Sequence, residues 1–291
     1  MCRKFMVLAV TLCYCLVQAD NLELAQLRNA DQADRHFASS VLEIDWHRIG
    51  KRDAARRNRV REILTADQVH TATDFDCAAL IMQHGDRPSD FLLAHELASI
   101  AAYLGKFGSL PALTQDRWLN SLDRLQRWGS QFKVDGSSRP IDTLSPTVTN
   151  SMRRDLLLPT VEEIKLHGMK ASMANIEEKI NYIESRMDKS RWKDSVRLTG
   201  SPSIEQTLTA VNQGELNTAN DYVRAAQALI KSKNPTDLLL AHELSVIAMA
   251  RRSPDAPRLF AKSLDLYLAA TGLPKRYSGG PLCPGVIRYL R

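Results

Sequence analysis

The sequence predicts an all-α protein made of two tandem, degenerate helical repeats joined by a partly helical connector. Residues 71–97 recur without a gap as residues 218–244, with roughly half of the positions identical. Apolar residues recur at helical spacing along most of the chain, whereas strand patterns are scarce. Both copies also begin with the Thr-x-x-Asp pattern of a helix capping box. Two copies of one helical unit imply two similarly packed lobes.

The first 19 residues predict a cleavable signal peptide. Arg3 and Lys4 precede an apolar run over residues 5–17, and the small-residue site that signal peptidase cuts ends at Ala19. This run is shorter than the roughly 20 residues that cross a bilayer, and no later segment is apolar enough to span one. We therefore expect an exported mature chain that begins near Asp20, has no transmembrane segment, and resides in the periplasm or outside the cell.

Three helices are predicted in the first repeat. The first covers residues 71–84, and the second covers residues 91–104. The second is apolar on nearly every side, which indicates a buried helix. Its predicted N-cap is Ser89, matched by Thr236 in the second copy. The third helix covers residues 113–128, and the second copy repeats this order.

The repeats and the segment between them predict three parts of the mature chain. The first lobe covers residues 20–133, the connector residues 134–205 and the second lobe residues 206–291. In the connector, apolar residues at alternating spacings of four and three run from Met169 to Met187, which predicts one long amphipathic helix. This helix packs on a lobe of the same chain or forms a coiled-coil dimer seam. The closing tail, residues 277–291, is rich in glycine and proline and is predicted to be irregular.

The chain is mildly basic, with a formal net charge of +6. Seven basic residues lie between Arg48 and Arg61. They predict either contact with an anionic surface or a solvated helix face whose charges pair with Asp45, Asp53 and Glu62. No aromatic side chains are interleaved to stack on bases, so the sequence argues against nucleic acid as a partner.

The predicted mature chain keeps two cysteines, Cys77 and Cys283. An oxidising compartment would permit one disulfide between them. A buried free thiol at Cys77 is the favoured alternative, because such thiols are common in an alanine-rich helix like the one around it.

No cofactor or metal motif is present. His95-Glu96 and His242-Glu243 recur in both copies, but neither extends to His-Glu-x-x-His. One imidazole on a helix cannot complete a metal site. We therefore expect no metal and no cofactor, and a buried histidine ring in each copy that bonds to a neighbouring helix.

Candidate catalytic residues are predicted only in the first lobe. Where the first copy has Gln-His-Gly-Asp at residues 83–86, the second has Ile-Lys-Ser-Lys, which lacks an imidazole and a carboxylate. This divergence points to the first lobe. The candidates are His84, Asp86, Asp116, Arg117 and Gln131.

Simpler roles also fit these residues. His84 can be a favourable charge at a helix C-terminus, and Asp116 with Arg117 can be an internal ion pair. Ser130 lacks a nucleophile-elbow context, so it predicts no hydrolase by itself.

Four blocks resemble the signature blocks of a bacterial protein family of unknown function. They are Gln83-His84-Gly85-Asp86, Ala94-His95-Glu96-Leu97, Asp116-Arg117-Trp118-Leu119 and Gln126-Arg127-Trp128-Gly129-Ser130-Gln131-Phe132. The resemblance covers about residues 30–165, with a degenerate copy after it. Asp123 and Leu125 depart from the glycine and proline of that family, whereas Gly272 and Pro274 keep them. The resemblance implies the fold and its boundaries and implies no activity.

Two functions follow as hypotheses. The first is an exported helical binding or protein-interaction module, which the duplication and the lack of a catalytic motif favour. The second is an enzyme, such as a hydrolase, with a site in the first lobe around His84, Asp116 and Gln131. The second hypothesis requires that the candidate side chains converge in a cleft.

Overall fold

All regular structure in the described residues is helical. The computed structural model describes residues 19–36, 45–131, 148–167, 198, 200–278 and 284–290. Within these ranges the chain has twelve helices and no β-strand, which confirms the all-α class. None of these helices is both long and apolar enough to cross a membrane. In chain order the helices are α1 (Leu22–His36), α2 (Trp46–Thr65), α3 (Ala72–Met82), α4 (Pro88–Tyr103), α5 (Leu110–Asn120), α6 (Asn150–Asp155), α7 (Val161–His167), α8 (Ile204–Asn212), α9 (Ala219–Leu229), α10 (Pro235–Ala250), α11 (Ala256–Ala270) and α12 (Pro284–Leu290).

Three predictions fall outside the described residues. These are the signal peptide up to residue 18, the amphipathic helix from Met169 to Met187, and the state of Cys283. Cys77 is described, and it is a buried free thiol. Burial raises the pKa of this thiol above its ordinary value.

Two helices, α4 and α10, are buried on nearly every side. The described residues up to Gln131 are called the first lobe here, and those from Gly200 onward are called the second lobe. In the first lobe α4 packs against α3 and α5, and in the second lobe α10 packs against α9 and α11. Both central helices carry apolar or small side chains at most positions, and nearly all of them are buried. Removal of this apolar area from water is the main stabilising contribution to each lobe.

The predicted capping boxes are present at the starts of α3 and α9. The Thr71 side chain accepts from the backbone N–H of Asp74, and the Asp74 side chain accepts from the backbone N–H of Thr71. Thr218 and Asp221 make the same pair of bonds. Asp74 also accepts the N–H of Asn21 at 2.7 Å, which ties the start of α1 to α3.

Ser89 and Thr236 are not N-caps, because both central helices begin one residue earlier, at a proline. Proline lacks an N–H and has a helical φ, so it suits the first helical position. The N-cap residues are Arg87 and Asn234. The Asn234 side chain accepts from the backbone N–H of Thr236 at 2.9 Å.

The helix predicted over residues 113–128 ends earlier, because α5 closes after Asn120. Asp123 has a φ of 56°, and the N–H of Arg124 bonds to the carbonyl of Leu119 at 2.9 Å. This left-handed C-terminal motif stops the helix. The following residues up to Gln131 form a loop instead.

The tail predicted to be irregular contains α12. Val286 and Leu290 lie four residues apart on this helix, and both are buried. α12 contacts α2 and α4 of the first lobe. The Tyr289 ring packs edge-on against Phe75, with centroids 5.3 Å apart. Apolar contact with the other lobe thus stabilises a segment whose composition favours turns.

The lobes also meet where α4 packs against α10. The rings of His95 and His242 are fully buried there, with 3.0 Å between the two Nε2 atoms. His95 Nδ1 donates to the carbonyl of Pro111 at 2.8 Å, so in the neutral ring its Nε2 accepts from Nε2–H of His242. Burial lowers the pKa of His95 to about 4 and lowers the pKa of His242 as well. Both rings are therefore neutral at pH 7.

Two ion pairs cross the same interface in opposite directions. Arg276 of the second lobe forms a bidentate pair with Glu96 of α4, at 2.8 Å for both bonds. Arg127 of the first lobe forms a bidentate pair with Glu243 of α10, at 2.6 and 2.7 Å. Each lobe therefore supplies an arginine to the buried glutamate of the other. His95 and Glu96, adjacent on α4, face different partners, as helix geometry requires.

Candidate functional site

A polar cluster lies where α1, α2, the α3–α4 turn and α5 meet in the first lobe. His84 follows α3 directly, and its Nδ1 lies 3.0 Å from Oδ1 of Asp31 on α1. The Asp31 carboxylate is fully buried and can only accept, so Nδ1 of the neutral ring carries the proton. Nε2 makes no hydrogen bond within the described part of the chain. His84 is about one-seventh exposed, with a side-chain accessibility of 14 %.

The pKa values of His84 and Asp31 are both lower than their ordinary values. Burial lowers the pKa of His84 below its ordinary value, and the hydrogen bond to Asp31 only partly offsets this. Burial would raise the pKa of Asp31, but the His84 hydrogen bond and the charges nearby outweigh it and lower that pKa. At pH 7 the pair is therefore a carboxylate hydrogen-bonded to a neutral imidazole.

Gly85 makes the turn after His84 sterically feasible. A Cβ atom at Gly85 would lie 2.3 Å from Cβ of Asp90, closer than real contacts allow. Asp90 cannot move away easily, because it is buried and its carboxylate pairs with Arg61 and lies 3.6 Å from Nε of Arg57. The close approach of α4 to this turn thus requires glycine and fixes the position of His84.

Arg117 on α5 reaches the same turn. Its Nη1 donates to the carbonyl of Gln83 at 2.7 Å, and its Nε donates to Oε1 of Gln131 at 3.0 Å. Among the described residues it contacts no carboxylate. Burial, and secondly the charge of Arg35, lower the pKa of this guanidinium, and its charge in turn lowers the pKa of His84.

The other charges around the cluster are paired. Three arginines and three aspartates on α1 and α2 form one connected network; its members are Arg35, Arg52, Arg56, Asp31, Asp34 and Asp53. Arg57 donates to the carbonyl of His84 at 2.6 Å and pairs with Asp86 at 3.0 Å. Arg117 is thus the cation of this cluster that forms no ion pair within the described residues, and the nearby charge of Asp31 only partly favours its protonated form.

Asp116 points away from the cluster, although it precedes Arg117. Its carboxylate is fully buried and holds the loop after α5, accepting the N–H groups of Arg127, Trp128 and Ser130 at 2.6 to 2.9 Å and the Ser130 hydroxyl at 2.8 Å. Burial raises the pKa of Asp116, although these hydrogen bonds lower it in part. The two side chains therefore do not form the ion pair considered from the sequence.

Asp265 of the second lobe holds the loop after α11 in the way that Asp116 holds the loop after α5. It accepts the N–H groups of Arg276, Tyr277 and Ser278 at 2.6 to 2.9 Å and the Ser278 hydroxyl at 2.6 Å. Both loops deliver an arginine to the opposite lobe. This matched role indicates that Asp116 positions a loop.

The five candidates therefore occupy three places. His84, Arg117 and Gln131 share the polar cluster. Asp116 is inside the lobe, and the Asp86 side chain, 69 % exposed, lies on the outside beside Arg57. The predicted convergence of all five in one cleft does not occur.

Two residues of the cluster carried no signal in the sequence. Asp31 and Arg35 lie on α1, 53 residues and 49 residues before His84, outside any motif or repeat. The pairing of Arg127 and Arg276 with the glutamate of the opposite lobe had a weak signal in the sequence. Each arginine follows its loop-holding aspartate, Asp116 or Asp265, by 11 residues.

The basic face of α2 is largely neutralised. Five of its seven basic side chains form ion pairs; these are Arg52, Arg56, Arg57, Arg59 and Arg61. Only Arg48 and Lys51 lack such a pair within the described residues, and both are exposed. The arrangement favours the solvated, internally paired helix face over contact with an anionic surface.

A shallow cleft of about 240 Å³, open mouth included, lies on the second lobe. Its lining includes Gly200, Pro202, Arg224, Gln227 and Lys231. None of the candidate residues lines it.

No protein-family model, curated protein or solved structure matches the chain.

Proposed function

We propose that the protein is an exported helical binding module whose first lobe holds a small anionic ligand at Arg117 and His84. The observation that carries this is the guanidinium of Arg117, which is partly buried and has no carboxylate partner among the described residues. A cation withdrawn from water is stabilised by an opposite charge. A bound anion would supply that charge.

The guanidinium is also held in place for such a ligand. Gln131 fixes Nε and the Gln83 carbonyl fixes Nη1, while Nη2 makes no hydrogen bond in the described residues. Arginine recognises carboxylate and phosphate groups through parallel N–H donors. Because its orientation is set beforehand, little side-chain entropy is lost when an anion binds.

Export is proposed from the N-terminal sequence pattern. Cleavage after Ala19 would leave Asp20 and Asn21 at the new terminus. Asp20 accepts the Thr71 hydroxyl at 2.7 Å, and Asn21 donates to Asp74 at 2.7 Å, so both residues bond to the start of α3. N-terminal sequencing of the protein recovered outside the cytoplasm should begin at or near Asp20. Recovery of the intact N-terminus in the cytoplasm would contradict export.

We also propose that the lobes arose by duplication and that only the first kept the site. The matched loop bonds of Asp116 and Asp265 support this. At the position of Arg117 the second lobe has Leu266, and at the position of His84 it has Lys231. The second lobe should therefore bind no anion in this way.

Calorimetric titration of residues 20–291 with sodium phosphate and sodium acetate at low ionic strength tests the binding proposal. Arg117→Leu, which introduces the residue of the second lobe, should weaken binding at least about tenfold, because a charge-assisted hydrogen bond contributes about 1.5–3 kcal/mol. Arg59→Gln removes the same charge from an exposed pair with Glu23 and should leave the affinity unchanged. Equal affinity of Arg117→Leu and the wild type, or saturable binding of neither anion, would contradict the proposal.

A hydrolase is the second candidate, and the Asp31–His84 hydrogen bond favours it. A carboxylate that holds Nδ1–H leaves Nε2 free to take a proton from water, which is how a histidine general base works. The exposed Asp86 and the loop-holding Asp116 do not add to such a site. If it is an enzyme, His84→Gln should lower kcat at least about 100-fold on an ester substrate with little change in KM. Turnover that survives this substitution would remove His84 as the base.

A further inference from the structure

At neutral pH the Nε2 atom of His84 can accept a hydrogen bond from a ligand but cannot donate one. At neutral pH its Nδ1–H is committed to Asp31, and its Nε2 carries a lone pair. A bare carboxylate or sulfate oxygen meets repulsion there. An oxygen that carries a proton instead donates a hydrogen bond to Nε2.

The charges around His84 set how much negative charge the site can hold. On α1, Asp31 accepts from His84, and the charge of Arg35 acts on the His84 ring. On α2, Arg57 donates to the carbonyl of His84. Asp86 of the turn is paired with Arg57, and Arg117 of α5 is the remaining cation. Gln131 of the loop adds a neutral amide. The charges of the network of three arginines and three aspartates on α1 and α2 cancel, and so do those of Arg57 and Asp86. Arg117 therefore leaves one positive charge, which one net negative charge on the ligand balances.

We propose that the ligand carries a phosphate group and that, when it is bound, one proton lies between a phosphate oxygen and Nε2 of His84. This inference rests on the proposed function. A second phosphate oxygen accepts from Nη2 of Arg117. The phosphate with its proton carries one negative charge, which Arg117 balances.

Phosphate has the proton chemistry that this arrangement needs. The second pKa of a phosphate monoester is about 6, so its last proton is held or released near neutral pH. Carboxylates and sulfate are fully ionised there and bring no proton. At pH 8 the free ester is a dianion and His84 is neutral, so binding takes up a proton from solution. Below about pH 6 the ester already holds that proton, and the uptake falls towards zero.

The test is calorimetric titration of the mature protein with phenyl phosphate at pH 8, in buffers that differ in ionisation enthalpy. The dependence of the observed heat on the buffer gives the number of protons taken up. We expect nearly one proton per ligand and an affinity that falls about tenfold for each pH unit above 8. His84→Gln should still bind, more weakly, with no proton uptake. His47→Gln, at an exposed histidine of α2, should keep the uptake.

The outcomes separate this inference from the proposed function. Wild-type binding without proton uptake, uptake that persists in His84→Gln, or acetate binding as tight as phenyl phosphate would each overturn the phosphate inference alone. Binding of no anion at all would overturn the proposed function itself. A parallel titration with inorganic phosphate distinguishes a free phosphate ligand from a monoester.

Discussion

Asp123 adopts a backbone conformation that glycine takes with least strain. Its φ of 56° closes α5, and Gly272 closes α11 in the same way with a φ of 74°. A side chain in the left-handed region costs roughly 1–2 kcal/mol, somewhat less for aspartate. Asp123 is exposed, so its side chain offsets little of that cost.

Asp123→Gly should therefore stabilise the protein. We expect the free energy of unfolding to rise by about 0.5–1 kcal/mol, after the greater freedom of glycine in the unfolded chain is subtracted. Urea unfolding followed by circular dichroism measures this. Gly272→Asp is the reciprocal variant and should lose a similar amount. A stabilised Gly272→Asp would show that the two turns are not equivalent.

Residue type and position predicted part of the site. His84, Arg117 and Gln131 were singled out from the sequence and share one cluster. Adjacent residues on a helix diverge by about 100°, so Asp116 and Arg117 had to separate, but the sequence does not tell which of them faces the site. Asp31 was missed, because nothing local marks a residue on another helix as the partner of His84.

At the scale of elements, the loop after the third helix of each lobe depends on one buried aspartate. Asp116 and Asp265 each accept four hydrogen bonds from their loops. These loops carry Arg127 and Arg276 to the other lobe. The geometry of each loop therefore sets the contact between lobes.

Asp116→Ala and Asp265→Ala should destabilise the protein to a similar extent. Each leaves buried N–H groups unsatisfied, and one such group costs about 1–3 kcal/mol, so we expect a loss of at least about 2 kcal/mol for either variant. Thermal and urea unfolding of the two variants beside the wild type provide the comparison. If Asp265→Ala is neutral and only Asp116→Ala has an effect, the two loops do not share a role.

Helices were predictable from the sequence where local signals decide them. The capping boxes and the apolar central helices α4 and α10 follow from spacing and residue type. The early end of α5 and the formation of α12 were not predicted. Asp123 takes a turn conformation that its residue type does not demand, and α12 is stabilised by contacts with the opposite lobe.

At the scale of the whole molecule, neutral histidines are buried where the lobes meet. His95 and His242 share one hydrogen bond, and the bidentate pairs of Glu96 and Glu243 lie on the same two helices. A charge on either ring would lie in an environment that burial makes unfavourable. The repeat predicted buried rings, but only the packing of the lobes brings them together.

Acid should therefore weaken the fold. Burial holds the pKa of His95 at about 4 in the folded state, against 6.5 for the free side chain. Between these values the unfolded chain binds more protons, so the free energy of unfolding falls as the pH is lowered from about 6.5 to about 4. The loss from His95 is on the order of 3 kcal/mol.

Urea unfolding at several pH values in this range, for the wild type and His95→Gln, isolates this contribution. The raised pKa of the buried Asp116 increases the free energy of unfolding as the pH falls, and this contribution is common to both proteins. The variant should show a flatter pH dependence, by up to about 1.4 kcal/mol per pH unit. Parallel curves would mean that His95 does not titrate with unfolding.

The proposed site is tested most directly by a crystal structure of residues 20–291 grown with phenyl phosphate. We expect the phosphate at the first lobe, with one oxygen on Nη2 of Arg117 and another within hydrogen-bond distance of Nε2 of His84. Phosphate bound instead at the exposed Arg48 and Lys51 of α2, with none at Arg117, would contradict the proposed site.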